Sequence, residues 1–356
     1  MSQANETVSG DDASSIRYNW RFIGLVATPI RWALAWIFFS ALWRRAVLVP
    51  GKLDPSSHAY VGFKFNHFLP HALWINGMIA FLITHETTLY VFLIIFTIIE
   101  ALVGLSLAFG LFTRLGGIGA TCLAWGILMG AGWLGSTCID EWQIGTMGIA
   151  GGLLLFLSGS GPWSLDSWWQ KKWPHLADKG WLRFFSSGPL GHGRMSRGVM
   201  SLALILALFA IGWSLFTNQA FQGGVWGKLH NPSKKPHFVI PEAKLANDGQ
   251  MKLTLYRTNG PDSYGAFIVR VDVTDQTGNV VEAFDAKELS SVTGSDIENR
   301  YLVKLHPGPY GLEAPLGSYA TVLLKPDSAL ALTEGEYSVT VHDVSGAKWS
   351  AKATVP

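Results

Sequence analysis

The chain has 356 residues, of which 49% are apolar, 16 are Trp and only 15% are charged; mean hydropathy is +0.26 and the formal net charge +2. That balance is too apolar for an average soluble protein, and no basic stripe with interleaved aromatics is present, which excludes a nucleic-acid partner. Almost all long apolar runs lie before residue 218 and the remainder reads as an ordinary polar domain, so two architectures are joined.

Residues 1–22 begin MSQANETVSGDDASS, polar and acidic, without the basic n-region and apolar core of a cleavable signal. They are expected to form a disordered cytoplasmic tail, which leaves membrane targeting to the first spanning helix. That span, residues 23–43, carries Arg31 in TPIRWALAWIFFSALWRR. It is followed by an outer segment, residues 48–87. At the end of the span and along this segment lie Arg44, Arg45, Lys52, His58, Lys64, His67, His71 and His85. Cations beside a low-dielectric wall focus the field and attract small anions. Arg44 and Arg45 equally suit snorkelling from a helix end. His67 and His71 are spaced like a helical metal pair, but Pro70 between them argues against it.

The second span, residues 88–111, is an unbroken apolar run except for Glu100 near its middle. A carboxyl at that depth costs about 2.5 kcal/mol or more. Two readings stay open. Arg31 and Glu100 form a fixed ion pair that registers the bundle, or Glu100 moves protons to or from a reduced carrier. Gly104, Gly110 and the LGGIGA that opens the third span predict close helix packing around the carboxyl. The third span, residues 115–134, contains Cys122, read as a small packing residue, and Trp125 and Trp133. Cys138 follows in GSTCIDEW. Its thiol is placed to form an adduct with a sulfur compound, although Asp140 and Glu141 disfavour the thiolate. Trp142 opens the fourth span, residues 142–158.

Residues 159–197 carry Trp, Lys, Pro and Gly without a long apolar run and read as a cytoplasmic connector along the membrane, with Trp at headgroup depth and Lys or Arg near anionic lipid. Residues 198–217 form a fifth, anchoring helix. Residues 218–356 alternate polar and apolar positions in MKLTLYR, AFIVRVDV, YATVLL and YSVTVHDV, separated by NDG, TNGPDS and DQTGN, which predicts an antiparallel, Ig-like β-sandwich.

Charge bias fixes the orientation. With five spans and an inner N-terminus, the inner segments hold Arg17, Arg21, Arg114, Lys171, Lys172, Lys179, Arg183, Arg194 and Arg197, and the outer ones before residue 218 only Arg44, Arg45, Lys52 and Lys64. The borderline stretch FLPHALWINGMIAFLIT, residues 68–84, would reverse that bias if it crossed, so it is expected to be re-entrant or interfacial. The fold class predicted is therefore an integral membrane α-helical bundle of four helices, a fifth anchoring helix and an outer all-β domain.

No CxxC, CxxCH, GxGxxG after a strand or P-loop is present and no metal or flavin motif is seen, so in redox chemistry here the electrons pass to a diffusing carrier such as a quinone or to a cofactor without a sequence signature. Trp125, Trp133 and Trp142 offer a quinone aromatic surfaces.

IRWALAWIFFSALWRR followed by IIEALVGLSLAFGLFTRLGGIGA resembles the DoxX/DoxD membrane family, whose recurring positions correspond to Arg31, Glu100, Gly104, Gly110, Thr113 and Arg114. The long outer segment is closer to the DoxD branch. The anchoring helix with FQGGVWGKLHNPSKKP and the β domain resembles DoxA, so the chain looks like a DoxD–DoxA fusion. The resemblance implies thiosulfate:quinone oxidoreductase activity, with thiosulfate oxidised to tetrathionate on the outer face of a bacterial or archaeal cytoplasmic membrane and electrons passed to quinone. Arg44, Arg45, Lys228 and Lys234 are the expected thiosulfate-binding residues, and Glu100 and Cys138 the catalytic candidates. The partners expected are membrane lipid, quinone, thiosulfate and either a second copy or a second subunit. The rival reading is a non-catalytic anchor that recruits another sulfur-redox protein.

Overall fold

The computed structural model describes residues 19–135, 140–177, 179–190, 196–262, 265–326 and 331–355. Most of the expected tail and Cys138 lie outside them. The chain divides into two compact units, one of Met1–Pro50, Ile95–Gly126 and Ile144–Thr217, the other of Gly51–Ile94, Ile127–Gln143 and Asn218–Pro356.

In the first unit, α1 (Trp20–Val26) and α2 (Thr28–Trp43, with Pro29 in its first turn) are followed by a π-helical turn, Arg44–Leu48. Helices α1 and Thr28–Leu48 are bent by 53° and together have the length of one span. The long helices α5 (Glu86–Phe109), α6 (Thr113–Ala131), α7 (Asp140–Ser158) and α11 (Arg197–Phe221) run from one unit into the other. Of these, α5, α6 and α11 are long and apolar enough to cross a membrane, giving three spans, or up to four with the bent pair, where five were expected. The difference is α7. It forms a 19-residue helix, but Asp140, Glu141 and Gln143 in its first turn lower its apolarity.

Side-chain size sets how closely α2 and α5 approach. A Cβ on Gly104 would lie 2.7 Å from Phe39 N and 3.0 Å from Ala35 O, so only glycine lets the backbones meet there. Cys122, expected to pack, is exposed on α6. None of the spanning window of α11 is buried, as suits a lipid-facing anchor. Short helices α8 (Leu165–Lys172), α9 (Pro174–Ala177) and α10 (Gly180–Phe185) make up the connector. Ser164 caps α8, its side chain accepting from Ser167 N, and Lys171 and Lys172 complement the dipole at the other end.

In the second unit, residues 68–84 do not form one helix. They break into a 3₁₀ turn, Leu69–His71, and α4 (Asn76–Thr84), with Trp74 at φ +66° between them. Nine residues rise only about 13 Å, too short to span. With α3 (Phe63–Phe68), this segment builds a small core of Tyr60, Leu69, Ile79, Leu82, Ile83, Leu89 and Leu93, against which Tyr301 and Leu302 of the β region pack.

The β region is a ten-stranded, nearly closed, barrel-like sheet of β1 (His237–Leu245), β2 (Met251–Asn259), β3 (Ala266–Thr274), β4 (Val280–Phe284), β5 (Ile297–Asn299), β6 (His306–Gly308), β7 (Gly311–Ala314), β8 (Tyr319–Leu324), β9 (Gly335–Asp343) and β10 (Lys348–Val355). Its order is β5-β8-β2-β1-β10-β9-β3-β7-β6, with β4 on β3. A sandwich of two separate sheets was expected; β1 joins them into one path. It pairs antiparallel with β2 and parallel with β10 at Lys244↔Thr354, and its register with β2 shifts between Val239 and Glu242. Pro241 lies in that shift and has no N–H to give the ladder, so the strand bends there. Alternating side chains, among them Leu253, Leu255, Val271, Val273, Val339 and Val341, fill the core. A short helix, α12 (Ala286–Ser291), has a capping box between Asp285 and Glu288.

Candidate functional site

Glu100 is buried at 4% exposure, as its depth in the span requires, but its partner is not the expected one. Arg45 Nη1 donates to Glu100 Oε2 at 2.5 Å and to Thr97 Oγ1 at 2.8 Å. The Arg31–Glu100 pair is therefore corrected to Arg45–Glu100, and helix register is the reason. Gly104 lies level with Ala35 and Phe39 on the antiparallel α2, so one turn back along α5 faces the end of α2 where Arg45 stands. Arg31, toward the other end of α2, meets the last turn of α5, about 10 Å from Glu100 along the helix. Its guanidinium, 1% exposed, donates to the carbonyls of Leu107 (3.0 Å), Ala108 (3.4 Å) and Trp163 (2.9 Å).

The FTR turn between α5 and α6 is held by a carboxylate the sequence reading missed. Asp166, fully buried in α8, accepts from Phe112 N (2.8 Å), Thr113 N (3.0 Å), Thr113 Oγ1 (3.0 Å), Trp169 Nε1 (3.2 Å) and Ser187 Oγ (2.8 Å). Arg114 donates to the carbonyls of Phe156, Arg183 and Gly188. Thr113 and Arg114 therefore fasten α6 to the connector. The SLDS signature of an N-cap with an acid in the first turn was the available signal for Asp166.

The second unit contains a cleft of about 1010 Å³ lined by basic side chains from distant parts of the chain. Lys52, His58, Lys64 and His67 come from the outer segment. Lys304 and His306 come from the loop entering β6 and from β6 itself, while Glu86 and Asp262 supply the two carboxylates. Lys64 Nζ bonds Asp262 Oδ2 at 2.6 Å, and His67 Nδ1 lies 3.7 Å from the same oxygen, an ion-pair separation. His67 and Lys64 together hold the Asp262 carboxyl well below the usual carboxylate range. The loop that carries Asp262 is shaped by Arg257, fully buried on β2. It donates to the carbonyls of Asn259, Pro261 and Ala314. The outer segment is seated against the β region at Gly317, whose φ is +78° and where a Cβ would lie 2.1 Å from Asn66 O.

Neither cavity described here is lined by Arg44, Arg45, Lys228 or Lys234, the expected anion ligands. Arg45 is taken up by Glu100, Arg44 is exposed with Nε 3.4 Å from Ser40 O, and Lys228 and Lys234 are exposed. Lys304 and His306 went unread because only strand topology brings them to the outer segment.

A smaller cavity of about 370 Å³ is lined by His71, Trp133, His230 and Asn259, among others. His71 Nε2 meets Asn259 Oδ1 at 2.9 Å, and burial pushes the imidazole below its usual pKa. His67 and His71 thus face different partners, and among the described residues no group of three or more His, Cys, Asp or Glu is arranged to hold a metal ion. Trp133 is fully buried with its indole N–H bonded to Phe68 O. Trp125 packs near Trp213 with ring centroids 6.3 Å apart, and Trp142 is half-buried.

Residues 26–190 match the family model described as TQO small subunit DoxD, and residues 221–352 the model described as TQO small subunit DoxA. Among solved structures, the Iho670 flagellar-like filament is 15% identical, with a TM-score of 0.21, over 46% of this chain and 98% of that one. The Pseudomonas fluorescens alkylpurine DNA glycosylase AlkC, bound to DNA containing an abasic site analog, is 10% identical with the same TM-score of 0.21, over 91% and 99%. At such scores neither likeness bears on fold or function.

Proposed function

Residues 26–190 belong to the DoxD family and residues 221–352 to the DoxA family, both thiosulfate:quinone oxidoreductase subunits, and from their union in one polypeptide we propose that this chain carries the whole reaction. Two thiosulfates each lose one electron as a bond forms between their sulfane sulfurs, giving tetrathionate. A membrane quinone takes both electrons and two protons and leaves as quinol. The succession of the two families in one chain is the observation that carries this reading.

In this reading α7 crosses as well despite its polar first turn, so that the chain spans the membrane five times with its N-terminus inside and its β region in the periplasm. The sulfur chemistry takes place on the outer face, because a dianion does not enter hydrocarbon. Quinone approaches between the apolar helices, where Glu100 is the ionisable group at depth. Arg45 keeps that carboxylate compensated, and proton transfer through Glu100 serves quinol formation.

The test uses the full chain purified alone in lipid nanodiscs. Thiosulfate-dependent reduction of a quinone analogue, with one tetrathionate formed per quinol, is the expected result. No turnover until a second subunit is added would make the chain an anchor or partner instead. Full turnover by Glu100→Gln would remove the proton role of Glu100 and leave the rest standing.

A further inference from the structure

Building on the thiosulfate reading above, we propose that the basic cleft of the second unit is the seat of the sulfur oxyanion, with Lys52 and Lys304 as its principal ligating cations. The charges in the cleft are unequally committed. Asp262 already holds Lys64 at 2.6 Å and stands beside His67. Among the described residues Lys52 and Lys304 have no ion-pair partner, and both line the same cavity. Three lysines against Glu86 and Asp262 leave the cleft net positive.

The size of the cleft fits the chemistry. Joining two dianions through a sulfur–sulfur bond needs a site that admits both and screens their repulsion. A water occupies about 30 Å³ in the liquid. A cleft of about 1010 Å³ therefore has room for two compact oxyanions side by side, or for the tetrathionate they become. Lys52 belongs to the DoxD-matching stretch and Lys304 to the DoxA-matching stretch, so a site made from both explains why one polypeptide carries both. A phosphate headgroup of an anionic lipid is likewise a negatively charged tetrahedral oxyanion, and the experiment separates the two.

The measurement is equilibrium binding of radiolabelled thiosulfate to the full chain in phosphatidylcholine nanodiscs, beside quinone-analogue turnover. Lys52→Gln/Lys304→Gln is expected to weaken binding about tenfold or more, raise KM in parallel and leave kcat within about twofold. Lys52→Arg/Lys304→Arg should recover most of the affinity, and Lys228→Gln/Lys234→Gln should bind like the parent. Unchanged thiosulfate binding in the Gln pair overturns the site while the reaction stands. Thiosulfate binding that is lost in the Gln pair, in a parent chain without turnover, upholds the site and overturns the reaction. If the Gln pair loses only its preference for phosphatidylglycerol vesicles and binds thiosulfate normally, the cleft is a lipid site and the proposal fails.

Discussion

The helical unit and the cleft treat basic side chains in opposite ways. Arg31, Arg114 and Arg45 are held among helices and connector by backbone carbonyls or by Glu100. Lys52 and Lys304 stand in a cavity without a counter-ion among the described residues. A guanidinium has five donors in a rigid fork and can be satisfied entirely by carbonyls, which makes it suitable for fastening chain to chain. A lysine left open in a cleft is a poor fastener and a ready anion ligand. Within the second unit, Arg257 follows the first pattern beside residues that follow the second, so the contrast tracks burial and not location.

Four experiments test this contrast. The largest effect is expected at the membrane pair. Arg45→Gln leaves the Glu100 carboxylate buried and uncompensated and should cost about 3–5 kcal/mol of stability. Arg45→Gln/Glu100→Gln should recover most of it, whereas a cycle between Arg31 and Glu100 should show coupling below about 0.5 kcal/mol. Thermal melts of the purified chain read both. Next comes Thr113→Val, which removes one donor to Asp166 and should cost about 1–3 kcal/mol in the same assay.

The third is a pH test of Asp262. Its folded pKa is depressed, so its stabilising contribution is fully present above the unfolded carboxylate value of about 3.9 and is lost as pH falls toward the folded value. Melting temperatures of the parent and Asp262→Asn should differ at neutral pH and converge in acid. A gap that persists unchanged below pH 3.9 would contradict the lock with Lys64 and His67. The smallest stability effect is expected from Lys304→Gln, within about 0.5 kcal/mol, because among the described residues no ion pair uses its charge. A larger loss would place Lys304 with the fasteners.

Much of the fold is local in the sequence and was legible there. The apolar runs of α5, α6 and α11 lie in single stretches, and the alternation of MKLTLYR and YSVTVHDV marks β2 and β9 without reference to the rest of the chain. The outer cations Lys52, His58, Lys64 and His67 were also visible as a group. What failed needed register or topology. Glu100 was assigned to Arg31 because both are ionisable at depth, yet the antiparallel alignment at Gly104 puts Arg45 opposite. Lys304 and His306 are unremarked residues in a loop and a three-residue strand until the sheet brings them to the outer segment. The fourth expected span fell short because polar residues at the start of α7 dilute an otherwise apolar helix.

The bare flank of α11 bears on how the two halves came to share a chain. A helix with none of its spanning window buried adds little to folding and acts mainly as a tether. The recognition lies elsewhere, in Asn66 against Gly317, Lys64 with Asp262 and His71 with Asn259. A tether of this kind turns the meeting of two separate proteins into an intramolecular event at an effective concentration of order millimolar. Cutting it should then change how often the halves find each other and leave unchanged the surface on which they meet.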